Sequence, residues 1–465
     1  MSVNLSPLGG AGAQFFDNSG IPLAGGLLYS YEAGTTTPAT TYTSSSGATP
    51  HANPIVLDAA GRVTSGEIWI TTILLYKFIL KTSAGVTIAT YDNIGLLGIA
   101  TSGANSNITS LSGLTTPLSE SQGGTGTTTG YYGFKNRIIN GSMIIDQRNF
   151  GASVTPTNGQ YLLDRFQATL TQASKFSVQQ NAGAIPPPAG FSNYLGATSL
   201  SAYTILTTDQ FSIAQFIEGF NTEDLGWGTA NAKTITLSAL VYSSLTGTFG
   251  GAIQNSASTR SYPFTYSIPV ANTWTTIAIT IAGDTTGTWL KTNGIGIKVF
   301  FGLGVGSTLT GTTGSWASAN YLSATGAVSV VGTNGATFYV TGVQLEKGAT
   351  ATSFDYRPYG TELLLCNRYF WTWTGNTVVR YAIGYNDSTT ATQFCGYLPA
   401  YMRSTPSVYS MSNFTSTGTA ITVASITLNA NQFNIVAVGV GLTIGASQIY
   451  VASGTVGVLS LSAEL

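Results

Sequence analysis

Five acids lie close enough along the chain to suggest paired carboxylates: Asp146 with Asp164, and Glu218 with Glu223 and Asp224. Glycoside hydrolysis needs two such groups roughly 5–10 Å apart, one to protonate the leaving oxygen and one to act as base or nucleophile. Arg148 and Arg165 stand beside the first pair, and the second set borders the polar stretch NTEDLGWG. Ion-paired or solvated structural roles are therefore the simpler reading. His51 is the sole histidine, in the turn-rich run ATPHANP, with no nucleophile context such as G-x-S-x-G to serve. It reads as a surface-loop residue. Gly302-x-Gly304-x-Gly306 is spaced like a dinucleotide loop, but the following STLTGTTG cannot begin the helix whose N-terminus would hold a phosphate. Cys366 and Cys395, the only cysteines, read as reduced and unpaired, and with one histidine they make no zinc set. No catalytic residue, metal or cofactor is expected, and the chain is not expected to be an enzyme.

Aromatic side chains offer a different chemistry. Trp371, Trp373, Tyr381, Tyr385, Tyr397, Tyr401 and Tyr409 crowd into one stretch where few large aliphatics compete. A ring face with a polar handle suits wet, amphipathic ligands such as sugars. These seven are the receptor-contact candidates; the competing reading packs them in a core or at a subunit contact.

The elements that would position them are strands. Only 8% of residues are charged, with a net charge of −1, so nothing electrostatic favours nucleic acid or an anionic membrane. The longest apolar run, Ile68 to Leu80 (IWITTILLYKFIL), is broken by Lys77 and falls short of the ~18–20 residues of a spanning helix. The opening MSVNLSPLGG lacks the features of a secretory signal. Ile277, Ile279 and Ile281 alternate with small or hydroxyl residues, as do Ile295, Ile297, Val299 and Phe301, with Lys298 facing the other way. Phe338, Val340, Val343 and Leu345 continue the pattern, with a bulge expected at Gly342. Turn signals at Asn158-Gly159, Gly283-Asp284 and Asn334-Gly335 separate such runs as in a sandwich or jelly roll. One helix is expected over Glu362–Phe370, after Gly360 closes the preceding stretch. No repeat of 20–50 residues marks a solenoid.

Composition shifts at Thr101 and Tyr131, and again after Phe354-Asp355-Tyr356-Arg357-Pro358. The expected domains are 1–100, a connector at 101–130, 131–360 and 361–465. The connector holds Glu120 as its only charge and Ile108, Leu111, Leu114 and Leu118 as its only large aliphatics. Ordering about 30 residues costs on the order of 30 kcal/mol. Four buried aliphatics return only roughly 6–12 kcal/mol. The connector is thus either a flexible hinge or a stem shared among identical chains that satisfy one another's backbone.

A family resemblance agrees with this order. The pieces IPLAGGLLYSYEAGTTTPATTY, NPIVLDAAGR, EIWI and YKFILKTSAGVTIATYDNI resemble the N-terminal virion-attachment domain of bacteriophage tailspikes and tail fibres. ITSLSGLTTPLSESQGGTGTTT is similar to a linker between tail-fibre modules. KNRIINGSMIIDQRN, YLLDRF and FYVTGVQLEKGATATSFDYRPYGTELLLCNRYF resemble a phage tail module with a carbohydrate-binding-like jelly roll, and LPAYMRSTPSV is similar to a motif of their C-terminal domains. The resemblance implies an all-β, elongated, multidomain homotrimer: a β attachment domain at 1–100, an intertwined stem at 101–130, a jelly-roll or β-sandwich module at 131–360, and a β-rich receptor-binding tip at 361–465. It implies a virion component made in the host cytoplasm, docked through 1–100 to a tail adaptor or nozzle protein. The tip would meet a host surface glycan or outer-membrane receptor, without nucleic acid or membrane insertion. The alternatives are a tailspike depolymerase that hydrolyses host polysaccharide and a structural fibre or adaptor without receptor contact.

Overall fold

The computed structural model describes residues 3–95, 134–375, 380–416, 419–429, 432–451 and 457–465. The 101–130 connector lies outside them. The described chain is all-β apart from one α-helix and short 3-10 turns, as expected where Thr, Val, Ile and aromatics supply pleated surfaces. It divides into two compact units, Met1–Thr115 and Thr116–Leu465.

In the first unit a four-stranded sheet runs in the order Ile55–Val56, Leu27–Glu32, Tyr76–Lys81, Thr87–Ile94, beside a pair formed by Val3–Leu5 and Trp69–Thr71. Tyr76, Phe78 and Leu80 turn inward while Lys77, Ile79 and Lys81 do not, the period of two of a half-buried strand. They close on Leu28, Ile55, Leu57, Ile68 and Ile70. The longest apolar run of the sequence is thus two strands and a turn, and among the described residues no helix is long and apolar enough to cross a membrane.

The second unit contains a β-sandwich. One sheet has five strands, in the order Thr275–Ile281, Ile235–Ser243, Thr337–Lys347, Leu195–Ser199, Phe176–Gln180. The other has six: Ser261–Ile268, Gly247–Gln254, Ile295–Val305, Gln210–Glu218, Phe166–Leu170, Tyr161–Leu163. Phe338 of the first sheet interlocks with Phe249 and Phe301 of the second at ring-centroid distances of 6.0 and 6.5 Å, as aligned inner faces require. The bulge at Gly342 is present: Thr337–Lys347 carries one extra residue against Ser238–Leu240. Gly342 has φ +60, and a Cβ there would come within 2.8 Å of the Phe191 ring. Gly283-Asp284 differs from expectation. It is an open loop in which Asp284 is buried, accepting from Arg260 Nε and Nη2 at 2.8 and 2.7 Å.

Residues after the sandwich build a three-stranded sheet, Phe370–Gly375, Gly457–Ser462, Ser407–Ser412, and a seven-stranded one. The latter runs Thr419–Ala420, Phe414–Ser416, Gly445–Val451, Arg380–Asn386, Ala391–Tyr397, Gln432–Val438, Thr422–Asn429. The helix spans Tyr359–Asn367, earlier than expected at both ends. Pro358 at the N-cap starts it, since a fixed φ suits a helix entry and Gly360 is tolerated in the first turn. Phe370 leaves it because that residue already pairs with Ser462.

Candidate functional site

The acids singled out by the sequence are each engaged locally. Asp146 accepts the main-chain N–H groups of Asn149 and Gly151 at 2.9 and 2.7 Å. Asp164 accepts from Gln147 N and Nε2 at 2.7 and 2.8 Å; burial pushes its carboxyl up to about 7, against the pull of Arg148. Glu218 accepts from Arg368 Nε and Nη2 and from the Tyr369 hydroxyl. Burial raises Asp224, but Arg137 at 2.8 Å and Lys347 at 3.3 Å outweigh it and hold the carboxyl below its ordinary range. Glu223 is exposed. The His51 ring bridges the Ser65 hydroxyl, 2.9 Å from Nδ1, and the Glu67 carbonyl, 3.2 Å from Nε2. This serine–histidine pair was not legible in the sequence; its third member is a carbonyl, so it clamps a turn. Gly302 and Gly306 serve close packing, since a Cβ at either would meet the backbone oxygens of Gly250 or Leu206. Cys366 is buried and Cys395 exposed, both as free thiols.

The seven aromatic candidates do not converge on one place. Trp371 and Trp373 lie half-buried against the core of the last sheets, with ring centroids 6.1 Å from Phe433 and 5.6 Å from Phe414. Tyr409 packs edge-on to Phe370 at 5.4 Å and beside the Arg148 guanidinium at 5.6 Å. Tyr385 and Tyr397 stand on the outer face of the seven-stranded sheet, 53% and 72% exposed, and Tyr401 follows it at 63%. Tyr381 belongs to the strand Arg380–Asn386, and its ring lies outside the described side chains.

A second aromatic constellation forms where three segments of the sandwich meet. Gly190, with φ +88, is the third residue of a turn closed by Phe191 N to Pro188 O at 3.0 Å, the position that demands a positive φ in a type II turn. The turn lays Phe191 over the side-chain-free Gly342. Phe354 then packs edge-on to it at 5.1 Å, and Tyr356 lies tilted against it at 5.5 Å. Between and after them, Asp355 accepts from the Asn136 amide and Arg357 donates to the Asn136 and Ile138 carbonyls, which anchors the segment. The third segment, Asn140–Ile145, is held by the Asn140 side chain, bonded to Ile145 N and O at 2.9 and 2.8 Å. Between these segments opens a cavity of about 160 Å³, lined by Phe191, Tyr356, Tyr359, Arg357, Glu362 and the Ser142–Ile144 turn. In the sequence, FDYRPYG stands out only as a boundary and a family motif. The signal was the Phe-x-Tyr alternation, whose partner Phe191 lies far away along the chain.

No family model and no curated protein matches this sequence. Among solved structures, the enzymatically active domain of tailspike protein 4 of bacteriophage CBA120 aligns at 11% identity and TM-score 0.26, over 46% of this chain and 22% of that one. A putative sugar-binding protein from Bacteroides thetaiotaomicron aligns at 11% and 0.26, over 46% and 100% of the two chains. A family 11 carbohydrate-binding module of a Clostridium thermocellum cellulase aligns at 12% and 0.21, over 42% and 99%. TM-scores this low establish neither a common fold nor a common function.

Proposed function

We propose that this chain is a homotrimeric bacteriophage tail-fibre protein that binds the host surface without cleaving it. Residues 1–100 would dock to a tail adaptor, and 361–465 would meet a surface glycan or an outer-membrane receptor. The observation that carries this reading is the surface of the last sheets. From 371 to 465 the only charged residues are Arg380, Asp387, Arg403 and Glu464. Glu464 is held in buried ion pairs, and Arg403 donates to the carbonyls of Ala463 and Glu464. Tyr397 therefore projects from a strand without charged residues, and the cation beside Tyr401, Arg368, is paired with Glu218, which suits a neutral hydroxylated ligand. Ile383 and Val440, 82% and 87% exposed, offer nothing to such a ligand. Aliphatic side chains this open, Ile383 on a strand of the sheet and Val440 in the loop after Gln432–Val438, suit contact with another copy.

The test uses the full chain on a microarray of bacterial lipopolysaccharides and capsular polysaccharides, with mass measured by light scattering. A trimer that binds some of these, and loses at least tenfold in affinity on Tyr397→Ala with Tyr401→Ala, is the expected result. Shortened polysaccharide after incubation would make it a depolymerase instead, and a monomer would remove the stem.

A further inference from the structure

We infer that the cavity bounded by Phe191, Tyr356 and Tyr359 is a second binding site, on the sandwich, that takes a single neutral pyranose ring such as the terminal unit of a glycan. It goes beyond the proposed tip contact and does not depend on it. The size sets the first limit. About 160 Å³ is well below the roughly 300–1,000 Å³ of pockets for drug-sized ligands, so one ring fits and a chain of sugars does not.

Chemistry sets the second. Tyr356 and Tyr359 are both more than half exposed at the mouth, and an aromatic face carries the negative charge density that attracts the C–H face of a sugar. Glu362 lies among the lining residues with its side chain 8% exposed. It already accepts from Asn140 N and Arg357. A carboxylate has about four lone-pair sites, so capacity remains for a sugar hydroxyl. Ser142, Ser192 and Asn193 add hydroxyl and amide groups around the same space.

Charge sets the third. Arg357 is the one cation in the lining, and it is compensated by Glu362 at 3.3 Å and Asp355 at 3.9 Å while bonding the Asn136 and Ile138 carbonyls. An anionic ligand would meet a neutralised guanidinium beside a carboxylate, so a neutral ring is favoured. The walls are held before any ligand arrives: Tyr356 Oη donates to Gly190 O at 2.9 Å, tying the 354–362 segment to the Phe191 turn. Preorganisation of this kind lowers the cost of binding. For a ring of about a dozen heavy atoms the expected dissociation constant is on the order of 1 mM.

Saturation-transfer NMR on the full-length protein tests this with the methyl glycosides of glucose, galactose, mannose, rhamnose and N-acetylglucosamine, titrated to on the order of 10 mM. At least one glycoside should show transfer. That signal should fall at least tenfold in Tyr359→Ala and in Ser192→Trp, which fills the mouth, with thermal melting of each variant confirming the fold. No transfer from any of the five would overturn the site, as would transfer that survives both Tyr359→Ala and Ser192→Trp. Transfer lost instead in Tyr397→Ala with Tyr401→Ala would also overturn it, by moving the sugar to the tip. Failure of the tip on the polysaccharide array with intact glycoside transfer would sink the tip contact and leave this site standing.

Discussion

Asp164 is buried completely, and its carboxyl stands at about 7 against an ordinary 3.8, chiefly because burial disfavours the charge. A carboxyl with a raised native pKa keeps its proton in the fold over an interval in which the unfolded chain has already released it. Its contribution to stability is complete below about 4 and is lost as pH rises towards 7, a change on the order of 4 kcal/mol at most. Asp164→Asn is neutral at every pH and keeps an acceptor for Gln147. Urea melts at pH 4.5, 6 and 8 should therefore show the wild type losing ground to the variant as pH rises; parallel profiles would refute the shift. At this scale the sequence was partly legible. It flagged Asp164 and the aromatic-rich stretch, but in short strands a shift of one residue reverses the face. Phe394 turns inward while Cys395 and Tyr397 turn out, and that parity depends on pairing with Gln432–Val438. Phe191 was not legible at all, because a proline-rich loop gives no hint of what it will cover.

Among the elements, the strand Gly457–Ser462 runs between Phe370–Gly375 and Ser407–Ser412 and carries the chain back towards the sandwich. Ala463 N then donates to Tyr369 O at 2.7 Å, and Arg403 holds the carbonyls of Ala463 and Glu464. The Glu464 carboxylate is thereby delivered to Arg148 and Arg165, whose side chains are 3% and 1% exposed. Aromatic rings enclose both cations: Phe370 lies 3.7 Å from the Arg148 guanidinium and Tyr369 lies 3.6 Å from that of Arg165. Removing one partner of a buried ion pair leaves the other charge uncompensated, at a cost of about 3–5 kcal/mol. Glu464→Ala should lose that much in urea denaturation, and adding Arg165→Met should recover part of it. A loss under 1 kcal/mol would mean that water already reaches the cluster. The strands themselves were readable from alternation, including the bulge at Gly342. Their order was not: Ile235–Ser243 lies beside Thr337–Lys347, a pairing of distant segments that local pattern does not encode. The helix begins three residues before the stretch that its residue types favour, because Pro358 at the N-cap makes Gly360 part of the first turn instead of a stop.

For the whole molecule, these clasps decide how the chain comes apart. The first unit has its own core around Leu28, Ile70 and Phe78. In the second, the sandwich and the last sheets each have a core, but their junction buries Glu218, Arg165 and Glu464 in ion pairs that bridge the two. Separating them would expose apolar contacts of Ile139, Ile145, Cys366 and Tyr369 and leave those charges unpaired. Groups in one network couple strongly, whereas sites in separate cores add independently. Calorimetry of the full chain should therefore show two transitions, a smaller one for residues 1–115 and a larger one for the rest, since unfolding enthalpy grows with size. Leu28→Ala, which opens a cavity in the first core, should lower only the smaller transition. Glu464→Ala should lower only the larger one, and without splitting it if the remaining Glu218–Arg368 link still holds the sandwich to the last sheets. Three transitions in the wild type would show that the junction does not couple its two sides. A single transition lowered by both substitutions would show that the first unit does not unfold on its own.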